Sequence, residues 1–101
     1  MKFGMTIQQY QILNDLVIAP LKKQHAQVFI FGSRTGDKHH PYSDVDLLFQ
    51  LQPETRLPSG FIAKIKDDIE ESKFPFKVDI VDDQSLANSY RTTVYSQMIE
   101  L

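Results

Sequence analysis

The sequence predicts an α/β (α+β) fold in which a small mixed β-sheet of about three strands is packed with helices. Three stretches rich in β-branched and aromatic residues predict the strands, and three stretches with apolar residues three or four positions apart predict the helices. The chain has 101 residues, of which 42% are hydrophobic, which is enough for one core but not for two. We therefore expect residues 1–101 to form a single domain.

The charge, the cysteine count and the lengths of the apolar runs argue against several classes of protein. The net charge of -2 argues against a protein that binds nucleic acid chiefly by electrostatic attraction. Without cysteine, the chain has neither disulfides nor thiolate metal sites. It has no apolar run near the length of about 20 residues that a membrane helix needs, and no signal sequence at its start. We expect a cytoplasmic protein that neither enters a membrane nor binds nucleic acid directly.

The three predicted helices are interpreted as covers for the core. Thr6 and Gln9 form a capping box that starts the first helix, and Pro20 is expected to end or kink it near Ala19. Ser59 is expected to cap the second helix. The apolar residues of the second helix share one narrow face: Phe61, Ile62, Ile65 and Ile69. The C-terminal helix has apolar residues at steps of four: Leu86, Tyr90, Val94 and Met98.

The predicted strands are residues 26–31, 44–51 and 77–81. Gly32 ends the first strand, and a polar surface loop at residues 37–42 is expected to join it to an antiparallel partner. Gly32 has no side chain to block a phosphate, and Ser33 adds a hydroxyl and a backbone N–H. A Gly-Ser pair alone is typical of ordinary turns, so its meaning depends on the acidic residues further along the chain.

Carboxylates occur inside two of the predicted strands. Side chains alternate along a strand, so Asp44 and Asp46 would share one face, roughly 6–7 Å apart along the chain. That face continues with Leu48, and two carboxylates on a partly apolar face repel each other unless a cation neutralises them. Asp79 lies inside the third apolar run and would join them, with Asp82 as the alternative. Three such carboxylates suit two Mg²⁺ ions about 3.5–4 Å apart, although an isolated Asp-x-Asp is also common in half-exposed strands.

Together these residues resemble the signature of a known family. The motif consists of Gly32-Ser33, ten residues, Asp44-x-Asp46, and then Asp79 within Val-Asp-Ile-Val. It is similar to that of the minimal nucleotidyltransferases of the DNA polymerase beta-like superfamily. The resemblance covers nearly the whole chain, and the two-part motif is specific although neither half is specific alone. The chain departs from it at Thr35, where family members often have alanine.

The resemblance implies an enzyme that uses ATP and two Mg²⁺ ions. Asp44, Asp46 and Asp79 would be catalytic residues and metal ligands, and Asp79 would also assist deprotonation of the attacking hydroxyl. Gly32 and Ser33 would bind the β- and γ-phosphates. Two further candidate phosphate contacts are equally typical of ordinary loop charges: Arg34 and Lys38.

Small relatives of this kind resemble the antitoxins of HEPN/MNT (minimal nucleotidyltransferase) toxin–antitoxin systems, whose partner is an all-helical HEPN ribonuclease toxin. In that setting the antitoxin transfers AMP to a tyrosine of the toxin and silences it. The chain ends soon after Asp79, so we expect no acceptor domain and an acceptor on another chain encoded nearby. That chain would dock on exposed apolar surface of the terminal helices. The sequence also leaves open whether this protein forms a homo-oligomer.

Two other functions remain as alternatives. The domain would be a non-catalytic module that binds nucleotide or only masks its partner, or it would transfer a nucleotide to a small molecule such as an aminoglycoside. The expected lack of an acceptor domain disfavours the second.

Overall fold

The β-sheet confirms the predicted fold class and adds one strand to it. In the computed structural model, which describes residues 2–36 and 42–101, four strands form one mixed sheet in the order β3-β2-β1-β4. Their bounds are β1 Ala26–Phe31, β2 Val45–Leu51, β3 Val78–Asp82 and β4 Ile99–Glu100. The β1–β2 pair is antiparallel as predicted, β2 and β3 are parallel, and β4 is antiparallel to β1.

The strand bounds differ slightly from the predicted ones. β2 begins at Val45, so Asp44 precedes the strand, and β3 is displaced by one residue toward the C-terminus. β4 was not predicted because it pairs only two residues, Ile99 with Ile30 and Glu100 with Phe29, which is too few for a periodic pattern.

The first helical run consists of three consecutive segments: α1 Ile7–Leu13, a π-helical turn Asn14–Ile18 and α2 Ala19–Lys23. The predicted capping box is present, because the Gln9 N–H donates to Oγ1 of Thr6 at 3.1 Å and the Thr6 N–H donates to Oε1 of Gln9 at 2.9 Å. The interruption predicted near Ala19 takes the form of the π-helical turn, where the Ala19 N–H donates to the Asn14 carbonyl. Pro20, the second residue of α2, has no N–H for a regular helical bond, so the widened turn before it lets the helix continue.

The other two helices are α3 Phe61–Glu71 and α4 Asn88–Gln97. The prediction that Ser59 caps α3 is wrong: Gly60 is the N-cap residue, with a φ of 76°, and its carbonyl accepts the first helical bond from Lys64. The apolar face predicted for α3 is confirmed, with Ile65 and Ile69 buried in the core. The stripe predicted for α4 holds only in part, because Tyr90 is 63% exposed. None of the helices in the described ranges is both long and apolar enough to cross a bilayer.

The two faces of the sheet are covered differently. On one face Val45, Leu47 and Phe49 of β2 join the main core beneath the first helical run and α3. On the other face Leu48 packs with Phe29 and with Val94 of α4. Because side chains alternate along a strand, Asp46 lies on the second face, at the end of the sheet where β1 stops and β2 and β3 begin.

Candidate functional site

The Gly32 corner and the carboxylate of Asp46 are in direct contact. Phe31, the last residue of β1, is paired with Asp46 of β2, and Gly32 turns away with a φ of 82° and a ψ of -156°. A Cβ placed on Gly32 would lie 2.5 Å from Oδ2 of Asp46, closer than any real contact. Glycine is required here both by this space and by a backbone conformation that other residues avoid.

Asp46 and Asp79 are direct neighbours across the two parallel strands. The β2–β3 register pairs Asp46 with Asp79, whereas Asp82, the alternative considered from sequence, is paired with Phe49 further along the strand. The Asp82 side chain accepts a hydrogen bond from the Gln84 N–H at 3.0 Å and so caps a 3₁₀ turn. The register therefore brings Asp79, and not Asp82, beside Asp46.

The charges at this corner act on one another. Burial raises the pKa of Asp46, and the nearby negative charges of Asp79 and Asp44 raise it further, while Lys77 opposes them. The Nζ of Lys77 lies 3.8 Å from Oδ1 of Asp79. Asp44 is exposed just before β2. Asp46 is therefore a partly desolvated carboxylate whose negative charge is only partly compensated by Lys77.

The Gly32–Ser33 turn leads into a short 3₁₀ helix, Ser33–Thr35. Ser33 is exposed, and Thr35 anchors the turn from behind: its hydroxyl donates to the Gly32 carbonyl at 2.6 Å and its N–H donates to the same oxygen at 3.1 Å. Arg34 points inward and is only 2% exposed, so it is not displayed like Ser33. The other candidate phosphate contact, Lys38, lies outside the described residues.

The residues at the corner fit a divalent cation in their chemistry. Carboxylate oxygens are the ligands that Mg²⁺ prefers. A cation would offset the cost of burying the charge of Asp46 and its repulsion from Asp44 and Asp79. Within residues 2–36 and 42–101, no three acidic or histidine side chains are gathered closely enough to hold a metal ion as they stand. Asp79 is paired with Lys77 instead, whose Nζ lies 3.8 Å from its Oδ1.

Comparison with known protein families identifies the family of the chain. The profile of the family described as "Polymerase beta, Nucleotidyltransferase" matches residues 17–101. The chain belongs to the polymerase beta nucleotidyltransferase family. Comparison with curated proteins gives no significant match.

A solved structure supports the fold of this nucleotidyltransferase domain. The chain is similar to the crystal structure of a "putative nucleotidyltransferase" from Sulfolobus solfataricus, with a TM-score of 0.53 and 15% sequence identity. The similarity covers 93% of this chain and 79% of the other. At this identity the match speaks for the fold alone, and it agrees with the mixed sheet and helices described above.

Sequence reasoning missed one charged neighbour of the site, Lys77. Lys77 was considered only as the start of the third strand. It stands two positions before Asp79, and residues two positions apart in an extended chain lie on the same side. That spacing was visible in the sequence. Arg91 and Tyr95 bond to each other at 2.7 Å and to Asp83, which follows the end of β3, away from the Gly32 corner.

Proposed function

We propose that this nucleotidyltransferase domain transfers AMP from ATP to a hydroxyl group, using a divalent metal ion held by Asp44, Asp46 and Asp79. The observation that carries the proposal is the Gly32–Asp46 contact, with Asp79 paired beside Asp46. A corner without a side chain and a charged, partly desolvated carboxylate next to it suit a metal-bound triphosphate.

The chain's own residues would bind and orient the reactants. Gly32 leaves room for the triphosphate to approach the backbone, and the exposed Ser33 hydroxyl is available to donate a hydrogen bond to a phosphate oxygen. The acceptor oxygen attacks the α-phosphorus, the new O–P bond forms as the bond to the β-phosphate oxygen breaks, and diphosphate leaves. Asp79 receives the acceptor proton. A bound divalent metal supplies charge neutralisation for the triphosphate.

We propose a tyrosine of a HEPN-type toxin, encoded beside this chain, as the acceptor. The resemblance to antitoxins of that class supports this, together with apolar side chains on the terminal helices that are open to a partner. Ile7 on α1 is 78% exposed and Tyr90 on α4 is 63% exposed. Their helices cover opposite faces of the sheet, so each side chain would be a separate contact point for a partner and not part of one apolar patch.

A second candidate is a module that binds its partner without catalysis. The observation that favours it is that the described carboxylates are not gathered into a ready-made metal site. Such a module would neutralise its partner by covering it.

The two candidates are distinguished by incubating the protein with ATP labelled at the α-phosphate, Mg²⁺ and the product of the neighbouring gene. We expect label on the partner, and no label with Asp44→Asn or Asp46→Ala. Asp67→Asn is the control, because Asp67 is exposed on α3, which covers the face of the sheet opposite to Asp46, and it should keep full activity. A tight but unlabelled complex supports masking, and full transfer by Asp46→Ala would overturn the site assignment.

A further inference from the structure

We propose that Arg34 is a positioning residue that holds the Gly32–Ser33 turn against the segments leading into both acidic strands. This inference rests on the proposed function, since it assigns a role within the same site. It also replaces the expectation that Arg34 binds phosphate.

Among the described residues, the side chain of Arg34 contacts three separate segments. Its Nε donates to the Ser43 carbonyl and its Nη1 to the Phe3 carbonyl, each at 2.9 Å. The guanidinium carbon lies 4.1 Å from the centre of the Phe76 ring. With 2% of its surface exposed, the residue is the largest fully buried side chain among the described residues.

Two of these contacts lie directly upstream of the acidic residues. Ser43 is the neighbour of Asp44, and Phe76 comes three residues before Asp79. Arg34 itself is two residues past Gly32. A single guanidinium thus joins the phosphate-facing turn to the starts of β2 and β3, which are far apart in sequence.

The chemistry of these contacts suits arginine in particular. A planar guanidinium donates in its own plane to two carbonyls while its face stacks on an aromatic ring, whereas an ammonium group is compact and has no such plane. Burial lowers the pKa of Arg34, and the negative charge of Asp44 opposes that shift. The guanidinium is charged in any case, and the negative charge of Asp44 is a favourable neighbour for it.

The same contacts argue against direct phosphate binding. A phosphate ligand needs an exposed donor, and the Arg34 side chain is enclosed by the chain's own carbonyls and ring. Its effect on a nucleotide would pass through the position of the turn and the carboxylates. Small displacements at a reacting centre are costly, since misplacement by about 1 Å can reduce a rate about 100-fold.

The test compares Arg34→Lys and Phe76→Leu with a control substitution in the core against which Phe76 packs. Ile69→Val serves as control, because Ile69 is buried on α3 in the main core and belongs to none of the three segments that Arg34 contacts. Two readouts are taken at a temperature where circular dichroism shows each variant folded. One is amide hydrogen exchange of residues 32–36 and 43–46, and the other is the dissociation constant for Mn²⁺ with a non-hydrolysable ATP analogue.

We expect both site variants to exchange faster in these two segments and to bind the analogue at least about tenfold more weakly, with Ile69→Val unchanged in both. Phe76→Leu is the decisive variant, because it removes the stacked ring without removing any charge. If Arg34 bound phosphate directly, Phe76→Leu should bind the ATP analogue normally. Arg34→Lys should then bind it partially, because its ammonium still attracts phosphate.

Normal hydrogen exchange and normal analogue binding by Phe76→Leu would overturn the positioning role. This outcome decides the question even if Arg34→Lys does not fold. Equal losses in Ile69→Val would also overturn it, because the effect would then be one of general stability. If the unsubstituted protein binds no analogue, the proposed function fails, and the exchange readout alone decides on Arg34.

Discussion

Gly32 and Asp46 lie so close together that a Cβ on the glycine would be 2.5 Å from a carboxylate oxygen of the aspartate. The two halves of the family motif, Gly32-Ser33 and Asp44-x-Asp46, therefore meet in the folded chain through the contact between Gly32 and Asp46. The antiparallel register that pairs Phe31 with Asp46 produces this contact, because it places the end of β1 opposite the acidic residue of β2.

Replacing Gly32 by alanine should damage both stability and metal binding. The new methyl group meets Asp46, and the φ of 82° is strained for any residue with a side chain. We expect a loss of about 1–3 kcal/mol in the free energy of unfolding, from urea titration, and loss of Mn²⁺ binding. Gly60→Ala is the control, since Gly60 has a φ of 76° with nothing within 4 Å of the added Cβ. Loss of binding in Gly60→Ala as well would mean that the contact with Asp46 is not the cause.

The raised pKa of Asp46 makes stability depend on pH. A carboxyl group whose pKa is higher in the folded state than in the unfolded state contributes stability that is complete below its unfolded value and is lost as pH rises through the folded value. With a chelator present, this contribution should therefore fall as pH rises from 3.8, the ordinary carboxyl value, through the raised value of Asp46.

The Asp46→Asn variant isolates this effect. Its free energy of unfolding should lack that decline, so its advantage over the unsubstituted protein should grow across the same pH window. Urea titrations at matched pH values measure the difference. A parallel pH dependence of the two proteins would show that Asp46 is not under electrostatic stress.

Lys77 should compete with a metal ion for Asp79. Its Nζ lies 3.8 Å from Oδ1 of Asp79, and the lysine side chain is 70% exposed, so the pair is a weak one. We expect Lys77→Met to bind Mn²⁺ more tightly, by up to about fivefold at low salt, which corresponds to an exposed pair of at most about 1 kcal/mol. Lys64→Met breaks a comparable exposed pair with Asp68 on α3 and should leave the affinity unchanged. Weaker binding by Lys77→Met would reverse the role assigned to this lysine.

Thr35→Ala should cost stability without abolishing metal binding. The variant loses the hydroxyl bond of 2.6 Å to the Gly32 carbonyl but keeps the backbone bond of 3.1 Å to the same oxygen. A loss of about 0.5–1.5 kcal/mol in the free energy of unfolding is expected. Calorimetric titration with Mn²⁺ should then give an affinity close to that of the unsubstituted protein. Complete loss of binding would make the hydroxyl part of the site itself.

Local sequence rules predicted the parts of the fold that local interactions determine. The Thr6–Gln9 capping box and the apolar face of α3 depend on residues three or four positions apart, which the sequence displays directly. The alternation of Asp46 and Leu48 likewise fixed which residues share a face of β2.

The features that sequence did not predict depend on contacts between distant segments. Arg34 is buried because Phe3, Ser43 and Phe76 surround it, and no local pattern indicates that enclosure. The pairing of Asp46 with Asp79 was expected from the positions of two apolar runs, but its register is a property of the assembled sheet. Tyr90 fits a helical stripe and is still exposed, because a spacing of four residues does not say how far a neighbouring surface extends.

The central claim is that a divalent metal ion binds where the Gly32 corner meets Asp46 and Asp79, and manganese-induced broadening of amide NMR signals tests it most directly. Substoichiometric Mn²⁺ should broaden the signals of Gly32, Ser33, Asp46 and Asp79 first and leave those of α3 sharp. Broadening centred on α3, whose exposed surface also carries carboxylates, with sharp signals at the Gly32 corner, would contradict the account.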